Sequence, residues 1–412
     1  MRVVSPSARW AAVLVSVIAV SAVAAWSPPA AAAASKLIWS SPFLGTYANP
    51  IQQLPAIVVG PTCIYVAGGQ GPTASAESFF LARYSLTGRL QWIRRESALI
   101  PKSCELGTDA KGNAYILVNS LLIKYSSAGR RQWIRIPRDA ESLSVDGRGD
   151  CWVTTTRGVY TFGSGGRRLS YVAIPGVVAL DGTHNIYALG NALSGAAIAK
   201  YDPSGHQLWQ QPIPSTTVPS PVVALGNGRV YVADVLWLGP PTNEDSWSVT
   251  CFSASGSQEY SVTLFPSSNE GEDYGPYGVV VDGEGEAFVC GQYGTGDTGY
   301  DLVRLSASGQ VVWVTPTSDL SARDYEAGGH PTLALPSTAD IFVGVPEGAP
   351  GGPYPETLMK YSSSGVLEWT RWTNSVTDYS LKGGYLYVFC LKKRYNLFGS
   401  SYEAGRLMKY TQ

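Results

Sequence analysis

Charge, histidine and recognisable catalytic signatures are all scarce in this chain, and each shortage removes a class of function. Charged residues make up 15% of the 412, and the formal charge of −1 becomes about −3 once Arg2 and Arg9 are set aside with the leader described below. That balance is expected to leave no basic footprint for a phosphate backbone anywhere in the mature chain, so a nucleic-acid partner is not expected. There are three histidines, His184, His206 and His330. The first two fall in short, uniform turns, which excludes a three-histidine metal centre and leaves His330 alone for Ser/His/Asp chemistry. No Gly-x-Ser-x-Gly elbow or phosphate-cradling loop occurs. The expectation is therefore no catalytic residue, no metal and no cofactor.

Six cysteines, Cys63, Cys104, Cys151, Cys251, Cys290 and Cys390, stand at unrelated distances from the aromatic of their own repeat. No shared position would bridge neighbouring units, so buried free thiols are expected over a disulfide framework.

What the chain has in quantity is glycine (45), proline (27), tyrosine (24) and tryptophan (12), the profile of short strands joined by many turns. Residues 1–34 read as an export signal. Arg2 and Arg9 precede an uncharged run from Trp10 to Trp26, Pro28 and Pro29 break it, and Ala30 to Ala34 offer a small-residue cleavage site. As an uncleaved anchor the run would be short for a spanning helix. The expected product is residues 35–412 as one domain, secreted or held in the periplasm or at the cell surface, monomeric, with no membrane contact after cleavage.

The pattern Lys-Tyr-x-x-x-Gly-x-x-x-Trp recurs as Lys124-Tyr125, Gly129, Trp133; Lys200-Tyr201, Gly205, Trp209; and Lys360-Tyr361, Gly365, Trp369. Looser copies are Arg83-Tyr84, Gly88, Trp92; Arg304-Leu305, Gly309, Trp313; and Cys251-Phe252, Gly256, Tyr260. An aromatic, a turn glycine and a second aromatic at fixed interval fit two antiparallel strands joined by a tight turn, and a period near fifty residues implies a stack of such units. Upstream lies Asp-x-x-Gly-x-x-aromatic: Asp109, Gly112, Tyr115; Asp146, Gly149, Trp152; Asp282, Gly285, Phe288; with Asp181 to Tyr187 as a variant carrying His184 in place of glycine. One acid per turn suits an Asp that caps its own backbone in a hairpin better than a cation site.

The aromatic after that turn forms a column of eight: Tyr65, Tyr115, Trp152, Tyr187, Tyr231, Phe288, Phe342 and Tyr387. Each belongs to a unit of four strands, and four antiparallel strands repeated radially make a β-propeller blade. The last unit reaches Lys409-Tyr410 with no Trp strand after it, while Lys36 to Trp39 is a Trp strand with nothing before it. The expected fold is all-β: an eight-bladed β-propeller of four-stranded antiparallel blades, the last closed by the N-terminal strand so that no edge stays open. The third unit has Ser170 at the Trp position, and its failure to form a blade would leave seven.

Val281 to Gly291, within residues 278–315, resembles the bacterial β-propeller repeat family with its Asp-x-x-Gly-Asn-x-Tyr-Val-x-Gly, Lys-Tyr and Gly-x-x-x-Trp markers (SBBP-type repeats). The likeness runs through nearly all of 36–412 and implies a fold, in secreted or surface proteins of unrelated activity. The recurring Trp is also similar to that of eight-bladed quinoproteins. Their adjacent cysteine pair over the cofactor is missing here, so that resemblance implies PQQ-like blade architecture without the quinone site.

In antiparallel blades the first-to-second and third-to-fourth turns share one face of the ring, and the second-to-third loops and blade links share the other. The first set is short and uniform, so the variable set is where a partner would bind. Units one to four contribute bland loops, whereas between units five and eight acids and aromatics alternate: Trp237, Glu244, Asp245 and Trp247; Asp273, Tyr274 and Tyr277; Tyr293, Asp297 and Tyr300; Asp324, Tyr325 and His330; and Tyr354. Trp237, Trp247, Asp273, Tyr274, Tyr277, Tyr293, Asp297, Tyr300, Asp324, Tyr325 and His330 are the candidate ligand contacts, suited to a carbohydrate or protein ligand through stacking and hydrogen bonds. The leading expectation is a non-enzymatic binding module. The alternatives are a carbohydrate-active hydrolase or lyase using paired carboxylates such as Asp273, Asp297, Asp301 and Asp324, and a cell-envelope assembly scaffold.

Overall fold

The computed structural model describes residues 37–43, 56–69, 78–97, 104–155, 157–174, 177–192, 195–213, 222–237, 245–264, 275–292, 300–316, 332–335, 340–346, 356–373, 377–382, 384–395 and 401–411. All of them lie in the compact unit Ala32–Gln412. Among them no helix is long and apolar enough to cross a membrane. Residues 1–34, expected as a leader, lie outside the described residues.

The strands, numbered β1 to β32 in chain order, fall into eight four-stranded antiparallel sheets. This is an eight-bladed β-propeller. Blade 1 is β2 (Ala56–Val59), β3 (Cys63–Gly69), β4 (Ser78–Ser85) and β5 (Leu90–Ser97), hydrogen-bonded in that order. Blades 2 to 7 repeat the plan. Blade 8 is β30 (Thr377–Lys382), β31 (Tyr385–Tyr395) and β32 (Ser401–Thr411), with β1 (Leu37–Phe43) as its fourth strand. β1 runs antiparallel to β32, with Leu37 opposite Tyr410, Ser40 opposite Met408 and Phe43 opposite Gly405, and a bulge between Leu37 and Trp39. The strand around Trp39 therefore seals the ring as its sequence position implied.

The third unit forms a complete blade, Ala140–Val145, Cys151–Thr155, Gly158–Phe162 and Arg168–Val172. Its missing Trp is replaced in function by Val172, whose Cγ1 lies 2.8 Å from where a Cβ on Gly205 would sit. The seven-bladed alternative falls with it.

Eight hydrophobic clusters fill the eight blade interfaces. Ile57, Phe80 and Tyr84 of blade 1 pack on Phe389 and Leu407 of blade 8, and Trp369 of blade 7 packs with Leu386 and Tyr410 of blade 8 on its other flank. Period-two alternation explains this, since successive residues of one strand face opposite neighbours. In β20 (Asp245–Phe252) of blade 5, Trp247, Val249 and Cys251 face blade 6, while Phe252 faces blade 4.

The repeated polar residues join blades to one another. The outer-strand indole donates to a turn carbonyl of the next blade: Trp92 to Ser127 at 2.9 Å, Trp133 to Ser164 at 3.1 Å, Trp209 to Ala254 at 3.0 Å and Trp313 to Ser363 at 3.0 Å. Lys124 adds its ammonium to the Ser164 carbonyl at 2.8 Å. The hydroxyls of Tyr65, Tyr115 and Tyr231 donate to the carbonyls of Gly112, Gly149 and Gly285 in the adjoining blade. The Asp turns cap themselves: Asp109 Oδ1 accepts the amides of Lys111 and Asn113, and Asp146, Asp181 and Asp282 repeat the arrangement. Cys63, Cys104, Cys151, Cys251 and Cys290 are buried free thiols, as their scattered positions implied. The Cys390 side chain lies outside the described residues.

Candidate functional site

The uniform turns and the variable loops leave the strands at opposite ends, as antiparallel order requires. His184 and His206 sit in the uniform turns, His184 at φ 67° and stacked on Trp152 at 3.8 Å, and His206 with its ring 3.3 Å from Asp202. Neither faces the variable end.

Asp273, Tyr274, Tyr293, Asp297, Asp324, Tyr325 and His330 lie outside the described residues. Of the other candidates, Trp237 and Trp247 belong to β19 (Arg229–Trp237) and β20, paired through Trp237 with Asp245 and Val235 with Trp247. Tyr277 lies in β22 (Pro276–Val281) and Tyr300 opens β24 (Tyr300–Leu305), where it pairs with Gln292. Trp247 is 1% exposed and packed into the interface of blades 5 and 6. It enters the site as a wall, and its ring is covered.

The structure brings Asp301 to that wall. Asp301 is the register partner of Gly291, and alternation places it on the face of β24 that carries Val303 toward blade 5. Gly291 is required to be bare: a Cβ there would lie 2.4 Å from the Gly275 carbonyl oxygen and 2.7 Å from Trp247 Cη2. Asp301 is itself desolvated, and burial raises its pKa from 3.8 to about 6. Among the described residues Asp301 has no cationic or hydrogen-bonding partner to offset that desolvation. In blade 5, Asp234 is 3% exposed on the blade 4 side of β19, its Oδ1 accepting the Val235 amide at 2.7 Å. Ser246 and Ser248 beside it are also buried.

The variable end of blade 5 thus carries the buried polar groups Asp234, Ser246 and Ser248, and that of blade 6 the partly buried Asp301, whereas the buried charges of the uniform end, Asp109, Lys124, Lys200 and Lys360, are held by turn, blade-joining or ion-pair contacts. Asp301 appeared in the sequence as one acid among several, and Asp234 drew no notice. The signal was available: both stand inside strands, where an acid is unusual, at the end facing the variable loops. Among the described residues no group of three or more His, Cys, Asp or Glu gathers as a metal site would need.

No family model matches the chain, and no curated protein matches it in sequence. Solved structures share its outline. Apo AztD from Citrobacter koseri aligns at 8% identity and a TM-score of 0.48, covering 81% of this chain and 96% of that one. The dihydro-heme d1 dehydrogenase NirN aligns at 10% identity and 0.47, covering 81% of this chain and 66% of that one, so this chain spans about two thirds of it. YCF48 from Cyanidioschyzon merolae aligns at 10% identity and 0.38, over 72% and 94%. Similarity at this level carries nothing about activity, and the fold assignment rests on the strand pairing described above.

Proposed function

We propose that this chain is an exported binding module of the bacterial propeller-repeat type, whose ligand face is the variable end of blades 5 to 8. One observation carries the reading. The residues that recur are spent on joining blades, whereas the partly buried carboxyl of Asp301 stands at the opposite end with nothing in the described fold to satisfy it. A carboxyl so placed accepts sugar hydroxyls or a donor from a protein surface, and the tyrosines that the sequence concentrates in these loops would supply faces for stacking. The test is binding of the purified chain to a glycan array and to surface proteins in pull-down. Alanine at Tyr274, Tyr300 and Tyr325 should abolish the interaction, and unchanged binding would remove the reading.

A second reading draws on the same carboxyl, since an acid titrating near pH 6 suits proton donation to a leaving oxygen. Glycoside cleavage would need a second carboxyl about 5–10 Å away. Polysaccharide hydrolysis that disappears in Asp301→Asn would favour it, and absence of turnover leaves the binding module.

A further inference from the structure

The near-neutral total conceals a division of charge around the ring. Residues 56–174, blades 1 to 3, hold fifteen Lys and Arg against eight Asp and Glu, whereas residues 175–373, blades 4 to 7, hold six against twenty-one. Residues 374–412 return to six against two. The expectation that no basic footprint exists fails because opposite half-rings cancel in the sum.

Part of the basic excess has a definite place. In blades 1 to 3 the residue after the glycine of the third-to-fourth turn is Arg89, Arg130 and Arg167, with Arg168 following the last, where blades 4 to 7 have His206, Ser257, Gln310 and Val366. Lys111 of blade 2 rises from the neighbouring Asp turn on the same face. Arg89, Lys111, Arg130, Arg167 and Arg168 are all exposed and have no ion-pair partner among the described residues. The cations at the same end of blades 5 to 7 are paired: Arg229 with Glu259 at 2.7 Å, Arg304 with Glu286 at 2.5 Å and Lys360 with Glu368 at 2.6 Å.

The base beneath these side chains is rigid. Trp92 ties the blade 1 edge to the Ser127 carbonyl, Trp133 ties blade 2 to that of Ser164, and within each blade Asn113 and Asp150 accept the amides of Ser127 and Ser164 at 3.2 and 2.9 Å. The turns are thereby fixed side by side, one blade apart, with an arginine on each. Guanidinium groups that recur at the same turn of successive blades, with no ion-pair partner among the described residues, fit a chain of repeating anions, each fork able to take a carboxylate with two parallel hydrogen bonds.

We propose that the uniform-turn face of blades 1 to 3 binds an anionic polysaccharide along the row Arg89, Arg130, Arg167 and Arg168. Three observations favour this occupant. The turn glycines Gly129 and Gly166 lie against the rings of Trp92 and Trp133, so among the described residues these turns offer charge and covered indoles where a single-stranded nucleic acid needs open aromatic faces. The turns are built of Gly and Ser with charge above them, whereas a stable dimer needs an apolar, close-packed centre. The row is narrow, one or two arginines per turn along an arc of the rim, which suits a chain more than a lipid surface.

The test uses the full mature chain with polygalacturonate as probe, and single-stranded DNA and phosphatidylglycerol vesicles as comparators. Polygalacturonate should bind, and its affinity should fall about tenfold or more as salt rises from roughly 50 to 200 mM, because counterions are released. The triple variant Arg130→Gln, Arg167→Gln, Arg168→Gln should weaken binding about tenfold or more at low salt and flatten the salt slope, with an unchanged melting temperature as control for folding. Arg138→Gln with Arg157→Gln, exposed cations of the same half-ring on the opposite face, should leave binding intact. No binding, equal loss in the control, tighter binding to DNA or vesicles through the same arginines, or self-association that vanishes in the triple variant would each overturn the proposal.

Discussion

At Gly129 the backbone is at φ 75° and a Cβ would lie 2.9 Å from the Trp92 ring. Two separate demands, left-handed backbone and an indole lid, converge on one residue. Gly129→Ala should therefore destabilise the fold by about 1–3 kcal/mol, read as a lower urea midpoint with unchanged slope. Asp301 gives the opposite sign. Its folded pKa, about 6, lies above the unfolded value of 3.8, so the folded state holds this proton more tightly. Its favourable contribution is present in acid and is lost as pH rises toward and through 6. Asp301→Asn should thus stabilise the protein at pH 7.5 by about 1–2 kcal/mol, allowing for solvent screening, and the gain should vanish near pH 4. Thermal melts at both pH values check it. The turn glycines and docking tryptophans were legible in the sequence because they repeat. Asp301 was one acid among several, since its burial comes from packing between sheets that no local pattern encodes.

Strands and turns were legible at the level of the element for the same reason: Asp, Gly and aromatic markers fix the register of each hairpin locally. The third unit was less clear, because Val172 does by apolar contact what Trp does elsewhere, and no fixed-position pattern contains that substitution. β1 has the largest structural consequence per residue. Removing Leu37–Phe43 would expose the backbone edge of β32, and unpaired edges recruit other chains. The truncated protein should aggregate on heating and show faster amide exchange in β31 and β32, with blades 3 to 5 little changed in exchange; uniform protection would count against the assignment of β1. The variable loops were legible only as composition, since their conformation depends on neighbours that no local pattern encodes.

Closure and polarity belong to the whole molecule, and the two differed in legibility. Closure could be read because complementary parts of one blade, a single strand and a set of three, stand at the two ends of the ring's sequence. Charge polarity could not be read from the total, since the basic and acidic half-rings cancel; it emerges once residues are assigned to blades. Both the proposed ligand face at the variable end and the proposed polysaccharide site at the uniform end depend on the same ring, in which β1 lies beside β32. The direct measurement is oxidative cross-linking of Ser40→Cys with Met408→Cys, which face each other in register, while the native thiols described are buried. The ring predicts a disulfide within one chain, found by peptide mapping without reductant, that forms in the folded protein and raises its melting temperature. Free thiols at both positions, or cross-links only between chains, would contradict it.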